Sequence, residues 1–305
     1  MVDEYFLDQF NKPHALVDGE SKPLTNGATN RLRNLLWEAE TKTTNRETLG
    51  AAVGTLAAFA AYSGNRHDLH VRYARHDGKL YAELSPGSVV EIGPGYWRTV
   101  EQPPVRFRPI GNLKPLPAPL ESADAPLADS LMVQHNADTY ADCRISTIKP
   151  IRNALSSDSL LYEFVNLKHP SERRLFVTYL VLSAVPDIPR PILGATGVMG
   201  SGKSSLSRFV KRTIDPSTPE AIRFDRPIEV LQKASHCHIL MVDNASSFPE
   251  WAEDMVCKFV TGEADSKRQL YSDDEYVIYE LMRAVLVSSI KPPSERETYR
   301  TGCSL

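Results

Sequence analysis

The residues best suited to chemistry form a glycine-rich segment, GVMGSGKSS, at positions 197–205. It fits the pattern GxxxxGK[ST], in which glycines let backbone N–H groups close around phosphate oxygens at the start of a helix. The lysine of such a loop reaches the β- and γ-phosphates, and the hydroxyl after it binds Mg²⁺. The segment therefore predicts a site for ATP and Mg²⁺. The residues predicted to line it are Gly197, Gly200, Ser201, Gly202, Lys203, Ser204 and Ser205.

A carboxylate with a matching role follows an apolar segment, HILMV at 238–242. Asp243 ends this predicted buried strand and can hold the metal ion together with Ser204. The next residue is Asn244, whose amide can orient an attacking water but cannot accept its proton. We therefore expect slow hydrolysis, or a base from the following helix. The acidic residues there are Glu250, Glu253 and Asp254, for which a solvated helix face is the favoured alternative.

Another strand is predicted at 284–288, sequence AVLVS. It ends at Ser288, where a side chain that senses the γ-phosphate is expected. Serine is also common at strand ends without such a role, so both interpretations stay open. Before this strand, residues 267–279 (KRQLYSDDEYVIY) form two alternating halves around an acidic turn, which predicts a β-hairpin.

The elements that position these residues alternate between strands and helices from residue 191 onward. Predicted strands are 192–196, 221–224, 236–242 and 284–288, and predicted helices are 204–212, 227–234 and 249–260. Such alternation implies a parallel sheet between two layers of helices. Residues 171–305, which begin with a helix predicted at 172–184, are therefore expected to form a three-layer α/β domain of the P-loop NTPase class.

The first part of the chain has a different pattern. Helices are predicted at 25–40 and 46–62, the second so rich in Ala and Leu that we expect packing on most of its sides, and short strands at 69–74, 80–84, 89–92, 96–100 and 105–107. The Asp77-Gly78 pair is a strong hairpin signal. Residues 1–108 are thus predicted to be a small α+β domain with a meandering antiparallel sheet. A proline-rich linker (109–126) and a helical connector (127–170, with a helix at 155–167) follow.

Composition limits the function classes. The 305 residues carry a formal net charge of -3, so nucleic acid must be bound by a local patch rather than a global cationic field. The four cysteines are scattered (Cys143, Cys237, Cys257 and Cys303), which argues against a disulfide framework or a zinc knuckle and fits a reducing cytoplasm. The sequence shows neither a secretory signal at its start nor an apolar run long enough to span a bilayer.

Two weaker patterns also have two interpretations. His236-Cys237-His238 could bind a metal, but alternation places Cys237 on the opposite strand face from the histidines, so a core strand is favoured. Arginines interleaved with aromatic residues suggest a nucleic-acid face, although half-exposed sheets commonly show the same pattern. This second group comprises Arg72, Tyr73, Arg75, Tyr81, Trp97, Arg106, Phe107 and Arg108.

The order of these motifs resembles ATP-binding proteins of phages and integrated elements, which are similar to the ATPase part of primase–helicases in the AAA+ superfamily 3. The resemblance covers about residues 160–290 and rests on the phosphate loop, the Val-Asp-Asn strand end, the Pro-Glu-Trp helix start, Val-Thr-Gly-Glu, the hairpin and the Arg-Ala-Val-Leu-Val-Ser strand. It implies an oligomeric, helicase-like ATPase acting on single-stranded or forked DNA in element replication. By position, Lys203 and Ser204 bind phosphate and metal, Asp243 binds metal, and Ser288 is the sensor. The hairpin then faces DNA, with Lys267 and Arg268 as contacts; an ordinary surface hairpin is the alternative.

One departure from the family pattern concerns its fifth strand and the arginine that reaches a neighbour's nucleotide. Residues 291–305 offer no apolar run for such a strand, so we expect the strand at 192–196 to have no neighbouring strand on one side, where helix 172–184 is its favoured cover. We also expect Arg296 and Arg300 to be poorly positioned and ATP turnover to be weak. A hydrolysis-poor ATP-binding switch or assembly module is therefore an alternative function. A small-molecule kinase is less favoured because no arginine-rich lid is evident.

Overall fold

The computed structural model describes residues 2–119, 165, 167, 169–245, 247–263, 265–268, 276–279 and 281–291, with only the backbone at 26, 27, 265–268 and 276–279. Its helices are α1 (Asn26–Glu40), α2 (Arg46–Tyr62), α3 (Pro170–Ala184), α4 (Lys203–Ile214), α5 (Pro227–Ala234) and α6 (Glu250–Thr261). The first nine strands are β1 (Val2–Leu7), β2 (Pro13–Val17), β3 (Glu20–Pro23), β4 (Leu69–His70), β5 (Tyr73–His76), β6 (Lys79–Ser85), β7 (Ser88–Gly93), β8 (Tyr96–Val100) and β9 (Arg106–Phe107). The others are β10 (Leu193–Thr196), β11 (Ile239–Val242), β12 (Asp265–Arg268), β13 (Tyr276–Tyr279) and β14 (Ala284–Ser289). The predicted helix 155–167, most of the connector, the hairpin turn, Arg296 and Arg300 lie outside the described residues.

The C-terminal part is built on a sheet in which β14 lies between β10 and β11. Both pairings are parallel, as predicted, with Leu193 opposite Leu286 and Ile239 opposite Ala284. Because parallel strands run in one direction, the carboxyl ends of all three strands meet at the same edge.

Helices cover both faces of this sheet. Side chains of α5 and α6 pack on one face with Leu240, Val242, Val285 and Val287. Side chains of α3 and α4 pack on the other with Leu193, Ile239, Met241, Ala284 and Leu286. Burial on both faces explains why β11 and β14 read as continuous apolar segments rather than alternating ones. Helix α3, predicted to cover β10, shares this second cluster with Leu193.

Two strand predictions in this part need correction. Residues 221–224 do not form a strand, because Ile222 alone makes an isolated parallel bridge to Val242 while Arg223 is exposed. Strand β11 begins at Ile239 rather than at His236. The carboxylate of Asp215 explains this start, since it accepts hydrogen bonds from the backbone N–H groups of His238 (2.7 Å) and Ile239 (2.8 Å).

The N-terminal part contains the predicted antiparallel meander, in the order β5-β6-β7-β8. Asp77 and Gly78 connect β5 to β6 with φ values of 48° and 74°, the left-handed geometry that a two-residue hairpin needs. An additional sheet, β1-β2-β3, was not predicted. The turn between β2 and β3 also contains an Asp-Gly pair, and Asp18 and Gly19 adopt φ values of 53° and 76°.

Three further predictions for this part were wrong. The strand predicted at 69–74 is interrupted at Arg72, whose φ is 63°, and so forms β4 and β5. Strand β9 pairs in parallel with β4 instead of joining the meander. Helix α2 buries only Leu49, Val53 and Ala60. Phe59 and Tyr62 are 57% and 91% exposed. The Ala-rich composition of α2 did not lead to burial on most of its sides, because its main contacts are with α1, β1 and β2.

No helix among the described residues is long and apolar enough to cross a membrane.

A polar junction connects the two parts of the chain at the end of α4. The guanidinium of Arg72 is buried and donates hydrogen bonds to the carbonyl oxygens of Glu83 (3.1 Å), Lys114 (2.7 Å) and Pro216 (3.0 Å). Its Nε forms an ion pair with Oδ1 of Asp215 at 3.5 Å, and the other carboxylate oxygen of Asp215, Oδ2, accepts a hydrogen bond from Lys211 at 2.7 Å. Within the proline-rich segment, the N–H of Lys114 donates to the Pro216 carbonyl and that of Leu116 to the Leu84 carbonyl.

Several of the arginine and aromatic residues of the N-terminal part are used in packing, whereas Arg75 is exposed and Trp97 is 37% exposed. Arg72, Tyr73, Tyr81 and Phe107 are buried, and the guanidinium of Arg108 donates to the Ser235 carbonyl at 3.4 Å. Side chains buried in this way cannot stack on nucleic-acid bases. The alternative interpretation of this pattern, ordinary packing of a sheet, is therefore the one that the structure supports for these residues.

Candidate functional site at the carboxyl edge of the parallel sheet

The glycine-rich loop leaves the carboxyl end of β10 and enters α4 at Lys203. Gly200 and Gly202 have φ values of 80° and 86°, a left-handed conformation that residues with a Cβ rarely adopt. Gly197 has a φ of 153°, and a Cβ built there would lie 3.1 Å from Oγ of Ser201. The loop conformation therefore favours glycine at 197 and 202, where the sequence pattern has it, and also at 200, where the pattern accepts any residue.

The start of α4 presents unpaired backbone donors. Its first intrahelical hydrogen bond joins the N–H of Leu206 to the carbonyl of Gly202 at 2.9 Å. The N–H groups of Lys203, Ser204 and Ser205 precede this bond and so have no partner of their own within the helix. Such a helix end attracts anions, because its N–H groups and the positive end of its dipole point the same way.

The ammonium group of Lys203 lies over the loop. Its Nζ donates a hydrogen bond to the Val198 carbonyl at 2.7 Å and lies 3.4 Å from Oγ of Ser201. Val198 and Met199, at the loop tip, are 74% and 86% exposed. The loop and its lysine therefore face solvent, where a phosphate group can approach them.

Asp243, which follows β11, contacts side chains at the start of α4 and at the end of β14. Its Oδ1 accepts hydrogen bonds from the hydroxyls of Ser204 at 2.6 Å and Ser288 at 2.5 Å. The backbone N–H of Asn244 donates to Oγ of Ser288 at 2.9 Å. Ser204, Asp243, Asn244 and Ser288 are thus brought together as predicted, although they belong to different strands and a helix.

The environment of Asp243 favours its charged form. Partial burial alone would raise the pKa of this carboxyl group. The hydrogen bonds from Ser204 and Ser288, the charge of Arg208 and the N–H of Asn244 outweigh burial, so the pKa of Asp243 lies below its ordinary value. Asp243 is therefore an anion at neutral pH, as a metal ligand must be.

The conformation of Asn244 gives a physical reason for an amide at this position. Its φ is 57°, and asparagine tolerates this left-handed region several-fold better than most residues. The side chain is exposed. Glu250 and Glu253 lie in the first turn of α6, where carboxylates also stabilise the helix dipole. Their role as a base stays a prediction.

Arg208 is a site residue that the sequence analysis missed. One guanidinium nitrogen lies 3.2 Å from Oδ2 of Asp243. The spacing from Ser204 could have revealed it, because residues four apart on a helix lie on the same face. The signal was weak, since α4 also carries Lys211 and Arg212 among its polar residues.

The other metal candidate of the sequence does not form a site. His236 is exposed, whereas Cys237 and His238 are buried, so the two histidines do not share a face. Burial lowers the pKa of His238 to about 3 and raises the pKa of Cys237 to about 11. In the described ranges no three His, Cys, Asp or Glu side chains are grouped to hold a metal ion. The interpretation of this segment as core is consistent with these positions.

A cleft of about 410 Å³ lies away from the phosphate loop. It is lined mainly by the segment after α4 and by α5, with Lys211 of α4, Pro219 and Ile239 of β11 among the lining residues. None of the predicted phosphate or metal residues lines it. The chemistry suggested by the motifs is therefore located at the carboxyl edge of the sheet rather than in this cleft.

The predicted hairpin is present as a backbone structure. Strands β12 and β13 pair antiparallel, with Asp265 opposite Tyr279 and Arg268 opposite Tyr276. Lys267 and Arg268 are the last two residues of β12. Their contact with nucleic acid stays a prediction.

Comparison with known proteins bears on the C-terminal part. No curated protein matches the chain. The family described as actinomycete integrative conjugative element replication protein matches residues 158–295, which is less than half of the chain but includes the phosphate loop, Asp243, the hairpin and Ser288. Over these residues the chain is similar to replication proteins of integrative conjugative elements, and this similarity confirms the predicted link to mobile-element replication.

Proposed function

We propose that this chain is an ATP- and Mg²⁺-binding P-loop NTPase of the AAA+-like type, which acts on DNA during replication of a mobile element. The observation that carries the proposal is the convergence of Ser204 and Ser288 on Asp243 beside the glycine-rich start of α4. A phosphate loop, a metal carboxylate and a sensor hydroxyl are the parts that phosphoryl transfer from ATP requires. The similarity to element replication proteins supports the DNA part of the proposal.

The residues present fit a magnesium ion. Mg²⁺ prefers hard oxygen ligands and is typically held by one or two carboxylates together with substrate phosphates and waters. The hydroxyl of Ser204 and the carboxylate of Asp243 supply such oxygens within 2.6 Å of each other. Ser204 and Asp243 would hold the ion, which would supply positive charge against the phosphates of the nucleotide.

The chain's own groups would bind the nucleotide in a definite way. The free N–H groups at the start of α4 and the loop glycines would surround the phosphates, and Lys203 would exchange its bond to the Val198 carbonyl for phosphate oxygens. Asn244 can orient a water molecule but leaves its proton to another acceptor. Glu250, Glu253 or Asp254 would have to supply that acceptor for rapid turnover.

Asn244 also favours a second candidate function, a hydrolysis-poor ATP-binding switch or assembly module. Many ATPases have a glutamate that can accept the proton of the attacking water at this place. A protein that binds ATP tightly and hydrolyses it slowly would couple nucleotide occupancy to assembly, including homo-oligomerisation, rather than to unwinding. The small-molecule kinase stays the least favoured alternative.

One experiment separates these functions. Binding of a fluorescent ATP analogue and release of phosphate are measured with and without single-stranded DNA, in the wild type and in Lys203→Ala. Binding abolished by Lys203→Ala, with phosphate release stimulated by DNA, would support the helicase-like ATPase. Binding without turnover would support the switch. Unchanged affinity in a folded Lys203→Ala protein would contradict nucleotide binding at this loop, because no other loop residue carries positive charge.

A further inference from the structure

Every oxygen of the predicted metal carboxylate already has a protein donor. Oδ1 of Asp243 accepts from Ser204 and Ser288, and Oδ2 lies 3.2 Å from a guanidinium nitrogen of Arg208. The Arg208 side chain is 49% exposed, whereas that of Asp243 is 18% exposed. A half-exposed cationic side chain thus reaches from solvent onto the carboxylate that a divalent cation would need.

Arg208 also has another carboxylate within reach. Its Nε lies 3.9 Å from Oε2 of Glu220. Glu220 is held by the guanidinium of Arg212, through hydrogen bonds of 2.6 Å and 3.1 Å. Arg208 can therefore leave Asp243 without losing contact with an anion. Arg212, one turn further along α4, donates its hydrogen bonds to Glu220 rather than to Asp243, so it offers a matched control.

We propose that Arg208 is a competing cation, which occupies the Asp243 carboxylate and must move away before a divalent cation binds there. The inference rests on the proposed function and deepens it, because it assigns a residue that sets metal affinity. A guanidinium at 3.2 Å and a divalent ion on the same carboxylate repel each other strongly, so the two positions exclude one another. The nucleotide-free protein then binds divalent ions weakly, and the metal arrives together with the phosphates that add further ligands.

The test uses Mn²⁺ as a spectroscopic substitute for Mg²⁺ on the full, nucleotide-free chain. Electron paramagnetic resonance measures free Mn²⁺ during titration of the wild type, Arg208→Gln and Arg212→Gln. We expect Arg208→Gln to bind Mn²⁺ about fivefold more tightly than the wild type, the upper range for removing a half-exposed ion pair. Arg212→Gln should match the wild type although it removes the same charge from the same helix.

Two more variants control for folding and for location. Arg208→Lys keeps the charge on a different head group and should give an affinity close to that of the wild type. Adding Asp243→Asn to Arg208→Gln should abolish the gain, because the metal then lacks its carboxylate. Unchanged or weaker Mn²⁺ binding in folded Arg208→Gln would overturn the proposal, as would an equal gain in Arg212→Gln or a gain that persists with Asp243→Asn.

This test is independent of nucleotide binding. A wild type that fails to bind the ATP analogue would contradict the proposed function, whatever its Mn²⁺ affinity. A wild type that binds the analogue while Arg208→Gln shows no Mn²⁺ gain would contradict the role of Arg208 alone.

Discussion

The hydroxyl of Tyr73 donates a hydrogen bond to the carbonyl oxygen of Ile214 at 2.8 Å. Ile214 is the last residue of α4, so its carbonyl has no partner within the helix and requires one from elsewhere. Tyr73 belongs to the N-terminal sheet, and the same helix starts at Lys203 in the candidate nucleotide site. The N-terminal part is thus joined to the far end of the helix that carries the phosphate loop.

Arg72 should be a major contributor to stability at this junction. We expect Arg72→Ala to lower the free energy of unfolding by about 3–5 kcal/mol, because it removes hydrogen bonds to the Lys114 and Pro216 carbonyls and the cation that is paired with the buried Asp215 carboxylate. Arg75→Ala, on the exposed end of β5, should change it by less than about 0.5 kcal/mol. Urea unfolding followed by circular dichroism measures both. Equal effects of the two variants would contradict the role of the buried network.

Asp243 should contribute to nucleotide affinity mainly through the metal. In Asp243→Ala we expect the tightening of ATP binding by Mg²⁺ to be lost, while affinity in EDTA changes little, because the proposed role of Asp243 is to hold the metal rather than to contact the phosphates. Calorimetric titrations with Mg²⁺ and with EDTA make the comparison, with the exposed Asp225→Ala as control. Equal losses under both conditions would exclude the metal role.

Asn244 should limit hydrolysis. Asn244→Asp keeps the size of the side chain and tolerates the φ of 57°, but introduces a carboxylate that can accept a proton. We expect phosphate release to rise by about tenfold or more, within the range of general-base effects. Asn244→Gly, which tolerates the same backbone without a polar group, should not raise it. An unchanged rate of phosphate release in Asn244→Asp would mean that the attacking water does not lie beside residue 244.

The hairpin should contribute to DNA binding through charge. Neutralising Lys267 and Arg268 together with glutamine is expected to weaken binding to single-stranded DNA and to reduce the slope of log affinity against log salt by about one unit for each lost phosphate contact. Arg46→Gln with Arg174→Gln, both exposed, removes the same charge elsewhere. The two double variants are compared by fluorescence anisotropy over a salt series. If the Lys267 and Arg268 substitutions leave the slope of log affinity against log salt unaltered, β12 and β13 have a purely structural role.

His238 should make stability depend on pH. Burial, together with the nearby Arg190, lowers the pKa of His238 to about 3 from the ordinary 6.5. Between these values the unfolded chain binds a proton that the folded chain does not, so stability falls as pH decreases from 6.5 towards 3. At pH 4.5 this costs about 2–3 kcal/mol.

His238→Gln should therefore lose less thermal stability than the wild type between pH 7 and pH 4.5, by several degrees. The exposed His236→Gln should behave like the wild type. Differential scanning calorimetry at both pH values measures the change in melting temperature of each protein. The contributions of all other titrating groups are the same in the variant and the wild type, so they cancel in the difference between the two. A His238→Gln profile parallel to that of the wild type would contradict a neutral, buried His238.

The sequence by itself determined the local features of the candidate site. Glycines at 200 and 202 are required by the backbone of the loop, and the apolar segments around 239–242 and 284–287 were predicted as buried strands and are covered on both faces. The Asp77-Gly78 turn and most helix bounds followed equally from local chemistry. Such features were predictable because their causes lie within a few residues of chain.

Tertiary structure alone decided which distant groups meet. The order of the strands puts Ser288 beside Asp243, Arg208 reaches the same carboxylate from α4, and Asp215 determines where β11 begins. The exposure of α2 and the parallel pairing of β9 with β4 likewise depend on which surfaces become neighbours. Periodicity records that a side chain is apolar or charged, but not which partner covers it, because that contact joins segments far apart in the chain.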